Sequence, residues 1–465
     1  MLTKRKEFIR LGMSTVAIAG LNAMSPGICS ATTSKVPNVH GFGAKGDGVT
    51  LDTAAVQAAV NACTPGAMVR VGPGRYVIGT IKLKSEMELH LAEGAELLGS
   101  LSLADYDPDT RAIEAPADNK CLIYAKNARN LKITGPGIIN GRGMKEYFPV
   151  KVGRAWGERP MLIRFVHCQG IAFSDITLRD SPSWCVHLLS CDDITASKVT
   201  INSHVNVNND GFDLDGCGNV LIQNCNLRTG DDAICPKSTT AKLCENIVVK
   251  NCRVQSNTAA FKCGTSSRGG FKDITVSDCD FSGCRMGVIK LTLVDGGIMQ
   301  NISISNIIAN DVEGPIFIRL GNRGRLYDKP TQQFQRADAQ PEGAPVGSIK
   351  NIRISNVTAT LTGTEPDRQG IMITGIPGHN VEDVVLENIK VSFVGNGTAE
   401  DARRTVPENI AQYPGQTFFG ILPSYGIYLR HVDGMVLRKV NLSLQNPDQR
   451  PAIVGEDVNR LRIYR

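Results

Sequence analysis

The chain has 465 residues, of which 42% are apolar, only 5% aromatic and 21% charged. That length exceeds one ordinary core, so it requires several domains or an architecture that grows by repetition, and the composition excludes a disordered chain. The formal charge is +6, but residues 1–31 hold four basic and one acidic group, so the remainder carries +3, too near neutral to mark a nucleic-acid-binding protein.

Residues 1–31 place Lys4, Arg5 and Lys6 before an apolar run from Leu11 to Leu21 and small residues up to Ala31, the form of an export signal. Arg5-Lys6-Glu7-Phe8-Ile9 has the order of a twin-arginine signal with lysine in second place. The expected destination is the periplasm or the medium, with residues 32–465 as a single domain. No later apolar stretch is long enough to span a bilayer, so no membrane contact is expected once the signal is removed. Asp52 and Thr53, followed by Val56, Ala59, Val60 and Cys63 at helical spacing, predict a capped helix that covers the first coil of a repeat unit.

From Asn130 onward one phrase recurs: Asn or Asp, alternating apolar residues, then Asn or Asp and another apolar residue. It reads GIAFSDI at 170, DITASKV at 193, NVLIQNC at 219, NIVVKNC at 246, DITVSDC at 273 and NISISNI at 301, and it returns at 351 and 383. Period-two alternation specifies strand, and starts 23 to 28 residues apart give three short strands and their turns per coil. The predicted fold is all-β, a right-handed parallel β-helix of about ten coils. Asn224, Asn251, Asp278, Asn306, Asn356 and Asn388 hold the late position of the phrase, where the chain must turn and a left-handed backbone suits Asn and Asp. Cys225, Cys252 and Cys279 fall 27 residues apart and are expected to stack as small core residues. The intervals 301 to 351 and 383 to 434 are twice the repeat, which marks residues 321–346 and 393–423 as long loops beside a binding groove.

Two segments depart from plain strand chemistry, NNDGFDLDG from Asn208 and TGDDAICPKS from Thr229. Asp210 lies 21 and 22 residues before Asp231 and Asp232, one coil, so winding stacks the three carboxylates in one open cleft. Grouped carboxylates repel and raise the pKa of at least one, which lets a cluster hold both an acid and a base. Turn-forming Asp-Gly sequences and a calcium site are the competing readings of the same spelling.

Together with SPSWCVH, which contains Trp184 and His187, and GFGAKGDGVTLDT near residue 41, these phrases resemble the motifs of the family 28 glycoside hydrolases, the polygalacturonases and rhamnogalacturonan-cleaving enzymes. The resemblance implies an inverting hydrolase of a pectin-type acidic polysaccharide or oligosaccharide, with no metal and no organic cofactor. Asp231 is then the general acid, and Asp210 and Asp232 activate the water, acid and base standing about 6.5 to 9.5 Å apart. The polysaccharide is the expected partner of a monomeric enzyme.

The likeness departs at two points. Ala259 stands where the family has a histidine, and Val288-Ile289-Lys290 replaces an Arg-Ile-Lys triplet, so only the lysine remains. Lys290 and Lys237, which lie inside matched phrases, and Lys262, Arg285 and Arg319 nearby are the candidates for holding a uronate carboxylate, since charge-assisted bonds suit that group. Asn208 and His187 complete the expected substrate-binding set, with Arg268, Arg323 and Asp295 as further groove candidates. A polysaccharide lyase that uses calcium, and a glycan-binding β-helix without catalysis, are the alternatives.

Overall fold

The structure, a computed structural model, describes residues 36–112, 119–150, 158–325 and 345–464. The expected export signal and residues 326–344 of the first long loop lie outside them.

Every pairing between its named strands is parallel, and the strands join into one continuous sheet that winds as a β-helix. Its coils form three ladders. One runs through strands Met87–Leu91, Arg129–Thr134, Gln169–Ser174, Asp192–Ser197, Gly218–Gln223 and Cys244–Lys250. A second contains Thr177–Arg179, Thr200–Ser203, Asn226–Thr229 and Arg253–Ser256. The third, which carries the acids, stacks Cys121–Lys126, Met161–Val166, Val186–Leu189, Phe212–Asp215, Ile234–Lys237, Phe261–Cys263, Ile289–Leu293 and Ile316–Leu320. Inward residues of all three ladders merge into one aliphatic core, as in the column Ile171, Ile194, Val220, Ile247, Ile274, Ile302 and Ile352.

The recurring Asn and Asp residues do what their positions require. Asn224, Asn251, Asp278, Asn306, Asn356 and Asn388 all have φ between 51° and 55°. They bend the chain without always ending a strand: Gly270–Ser282 and Ile298–Val312 run through their left-handed residue as single strands. The amides also bond along the stack, Asn388 Nδ2 to Asn356 Oδ1 at 2.8 Å, Asn356 to Asn306 at 2.9 Å and Asn306 to Asp278 at 2.8 Å. Cys225, Cys252 and Cys279 are buried free thiols, as packing alone demands.

The helix Thr53–Ala62 forms as expected and buries Val56, Ala59 and Val60 against the first coils. Asp52 does not cap it with its side chain. Its carboxylate instead accepts from the backbone N–H groups of Lys45 and Gly46 at 2.7 and 2.9 Å, which fixes the preceding turn.

The loop 393–423 folds back over the third ladder. Arg319 and Arg430 lie in one outward row, joined by the register Arg319↔Thr374↔Arg430. Arg319 donates to the carbonyls of Glu408 and Asn409 at 2.7 and 3.0 Å, and Arg430 to those of Val406 and Pro407 at 2.7 and 2.8 Å. Each guanidinium supplies several donors to the backbone carbonyls of this irregular segment.

The Asn stack should be a measurable stabiliser. Asn356→Ala removes two amide bonds and places a Cβ-bearing residue without a local partner in the left-handed region, so the unfolding free energy should fall by about 2 kcal/mol. Asn356→Gly, free of the backbone penalty, should lose about half as much in the same denaturant titration.

Candidate functional site

The site is built on the third ladder and on the residues that lead into its strands. Phe212, Ile234 and Phe261 are in register, and the backbone bonds Cys185 N to Asp210 O, Gly211 N to Asp232 O and Ala233 N to Ala259 O extend that register two residues earlier. Trp184, Asp210, Asp232 and Ala259 therefore form one row, one rung apart, at about 4.8 Å per rung. Asp231 precedes Asp232 and turns to the rim. Winding does bring the three expected acids to one place.

The cleft is less open than the sequence suggested. Asp210 and Asp232 are each only 3% exposed, whereas Asp231 is half-buried at the mouth. The physical reason is that three lysines and a tyrosine fill the space around the acids. Lys237 Nζ lies 3.1 Å from Asp213 Oδ1 and 3.6 Å from Asp210 Oδ2, and 4.8 Å above the Trp184 ring. Lys262 Nζ bonds to Asp232 Oδ2 and approaches the Tyr413 hydroxyl, from the loop 393–423, at 3.4 Å. Lys290 stacks directly on Lys262 in the next strand. It is 3% exposed, and its ammonium group makes no hydrogen bond or ion pair with any described residue.

Thr258 ties the adjacent acids together, its hydroxyl lying 3.0 Å from both Asp231 Oδ1 and Asp232 Oδ1, so these two oxygens stand closer than the roughly 6.5 to 9.5 Å expected of an inverting acid and base. Asp210 Oδ1 has no hydrogen-bond partner among the described residues. The charges are therefore unequal. Burial, and then Asp213 and Asp231, push the Asp210 carboxyl well above its usual range. Burial and the neighbouring Asp232 push Asp231 up as well. Burial acts in the same direction on Asp232, but Lys262, Lys290 and Lys237 together outweigh it and hold that carboxyl below the usual range. Burial and the neighbouring Lys262 bring Lys290 down to about 8. Adjacent residues thus favour opposite protonation states, which is what paired acid and base chemistry uses.

Several expected binders are placed elsewhere. His187 is fully buried, 3.6 Å from Asp215 and 5.1 Å from the Trp184 ring centre, so it underlies the acids and presents no face to a sugar. Arg319 is consumed by the loop it holds and presses on the Phe419 ring at 5.1 Å. Arg285 lies at the surface and pairs with Asp311 at 2.7 Å. Arg323 forks onto Asp295 at 2.8 and 2.6 Å, a buried bidentate pair that makes both residues structural, and Arg268 is exposed. Asn208 sits at the shoulder of the site with φ 53°, its Oδ1 accepting from Arg159 at 2.8 Å.

Sequence reasoning passed over four participants. Asp213 faces outward from the strand Phe212–Asp215, and period-two alternation from Asp215 could have found it; burial raises its carboxyl to about 6 against the pull of Lys237. Arg159, wholly buried, bonds to the Pro182 and Val207 carbonyls and so anchors the segment that leads into Asp210. Thr258 and Tyr413 have no local signature.

A metal would find its ligand atoms taken. One carboxylate oxygen from each of Asp210 and Asp232 and the Cys235 sulfur lie within 4.8 Å of one another, but Lys237 Nζ is 3.2 Å from that sulfur and Lys262 is bonded to Asp232. Two ammonium groups inside the cluster do not fit a divalent cation.

Residues 68–410 match the family described as Glycosyl hydrolases family 28, and residues 36–90 match Rhamnogalacturonase A/epimerase, pectate lyase-like. A probable polygalacturonase of Vitis vinifera is 26% identical over 411 residues, 83% of this chain and 80% of that one. An exo-poly-alpha-D-galacturonosidase of Dickeya chrysanthemi is 29% identical over 274 residues, 47% of this chain and 45% of that one. Among solved structures, the family 28 exopolygalacturonase of Yersinia enterocolitica superposes with a TM-score of 0.69 at 20% identity, covering 91% of this chain and 77% of that one, a likeness of fold. With the family matched across most of its length and the carboxylates gathered on one face, the chain belongs to the glycosyl hydrolases of family 28 and is an O-glycosyl hydrolase.

Proposed function

We propose that this protein hydrolyses a galacturonan-type pectic chain by a single displacement with inversion, and that it acts on chain ends or short oligosaccharides. The observation that carries the reading is the pair Asp231 and Asp232: bridged by one threonine hydroxyl, the first is half-exposed and inclined to keep its proton, the second is recessed and held ionised by lysines. Asp231 gives its proton to the glycosidic oxygen as the bond to the anomeric carbon breaks. Asp232 takes a proton from the attacking water, and the unpartnered Oδ1 of Asp210 orients that water from one rung away.

Lys290 supports the acidic substrate. The side chain is recessed, its ammonium group has no partner among the described residues, and a uronate carboxylate is the complement that would pair with it. The polygalacturonase and exo-galacturonosidase relatives agree with that chemistry. Preference for ends follows from the recessed acids and from Tyr413, which the loop 393–423 sets against Lys262. The signal pattern of residues 1–31 fits a polymer encountered outside the cell.

Four outcomes test this. Asp231→Asn should lower release of reducing ends from polygalacturonate by about 10²–10⁴-fold, with a melting temperature unchanged or raised because its repulsion with Asp232 is relieved; full activity in the variant would refute the assignment. The profile of kcat/KM should be a bell. Its acid limb should lie below the usual carboxylate range, where Asp232 takes up a proton, and its alkaline limb above that range, where Asp231 loses one. Lys290→Met should raise KM for oligogalacturonides about tenfold or more and leave uncharged glycans unaffected. Anomeric analysis of the first product by NMR should show inversion.

A further inference from the structure

The loop 393–423 reaches the acids through one side chain, Lys262, whose surroundings give it a task other than binding substrate. Lys262 lies in the strand Phe261–Cys263, 5% exposed, with its ammonium group on Asp232 Oδ2, 3.4 Å from the Tyr413 hydroxyl and 5.9 Å from the centre of that ring. The other oxygen of the same carboxylate, Oδ1, accepts from Thr258 at 3.0 Å. Both oxygens of Asp232 are thus fixed from separate directions, which leaves the carboxylate a single orientation. The next residue in the row above Asp232 is Ala259, wholly buried and with an apolar side chain, so on that side Thr258 and Lys262 are the described side chains that bond to the acid.

We propose that Lys262 is a positioning residue: clamped between Asp232 and Tyr413, it holds the Asp232 carboxylate in the orientation and charge state that water activation needs, and it makes the loop 393–423 a working part of the site. The proposal rests on Asp232 as the water-activating group. It separates the two stacked lysines by role. Lys290, which has no partner among the described residues, is available to a substrate carboxylate; Lys262, already bonded to an acid, is not. It also gives a reason for the pinning of the loop by Arg319 and Arg430, because a tyrosine on a loose segment would not close off Lys262 from water. A shielded ion pair is stronger than a solvated one, and a buried charge left without its partner is heavily penalised.

The test compares Lys262→Met, Lys262→Arg and Tyr413→Phe in the full chain, with oligogalacturonide kinetics across pH and, without substrate, carboxyl titration of protein labelled with ¹³C at the aspartate side chains. Lys262→Met should lower kcat by about 10²-fold with KM within about threefold, and should move both the acid limb and one carboxyl titration upward by about one pH unit or more, since Asp232 loses the cation that keeps it ionised. Lys262→Arg should restore most of the rate, and Tyr413→Phe should move the limb in the same direction by less. A rise in KM with kcat and the acid limb unchanged would overturn the proposal and make Lys262 a substrate ligand. If Lys262→Met does not fold, an unmoved limb in Tyr413→Phe would overturn it and a moved one support it. If the wild type cleaves no galacturonan, the substrate reading fails, while the carboxyl titration still decides the role of Lys262.

Discussion

The constraint on which the rest depends is the spacing of a parallel ladder. Each coil can bury its inward face only against the coil above and below, so equivalent residues are held one rung apart along the whole rod. The same bonds that seat Ile171 on Ile194 and Ile194 on Val220 also seat Asp210 beside Asp232 on the outer face. A row of side chains is imposed on the sequence at every outward position, and the chain decides only what chemistry to place in it. Here it places Asp210 and Asp232 in one row and, three residues further along the chain, a second row in which Asp213 and Cys235 are followed by Lys262 and Lys290.

Charge follows from that crowding. Four carboxylates, Asp210, Asp213, Asp231 and Asp232, share one recess with Lys237, Lys262 and Lys290. In a low-dielectric site neither set could remain ionised without the other. The contacts are local: Lys237 pairs with Asp213 and Asp210, Lys262 pairs with Asp232, and Lys290 makes no ion pair among the described residues though its charge still favours ionised Asp232. The inequality of the acids is therefore a result of which rung each lysine occupies. Asp231 and Asp232 are neighbours in the turn before the strand Ile234–Lys237, yet only Asp232 bonds to a lysine.

The long loops show a different economy. Arginines that sequence alone would offer to a sugar are used to hold the chain itself. Arg319 and Arg430 satisfy backbone carbonyls of residues 406–409, and Arg323 locks onto Asp295. A guanidinium has five donors in a rigid fork, which suits it to several carbonyls of an irregular segment at once. Under the proposed function, substrate recognition falls to a lysine, a compact charge at the end of a flexible stem.

The sequence by itself determined the winding, because strand alternation and the left-handed Asn and Asp residues are local properties that repeat at one interval. It determined the gathering of Asp210, Asp231 and Asp232 for the same reason, since one interval in a solenoid is one rung. What it left undecided was contact across coils and from loops. His187 and Arg319 look like substrate ligands when read as residue types near a motif, and burial under a neighbouring rung or a folded-back loop removes them from that role. Tyr413 is 151 residues from Lys262 and Thr258 meets both acids through a turn, so neither contact has a period to reveal it. Only the tertiary structure decided which cation serves which acid, because that depends on distances of a few ångströms between rungs and not on spacing along the chain.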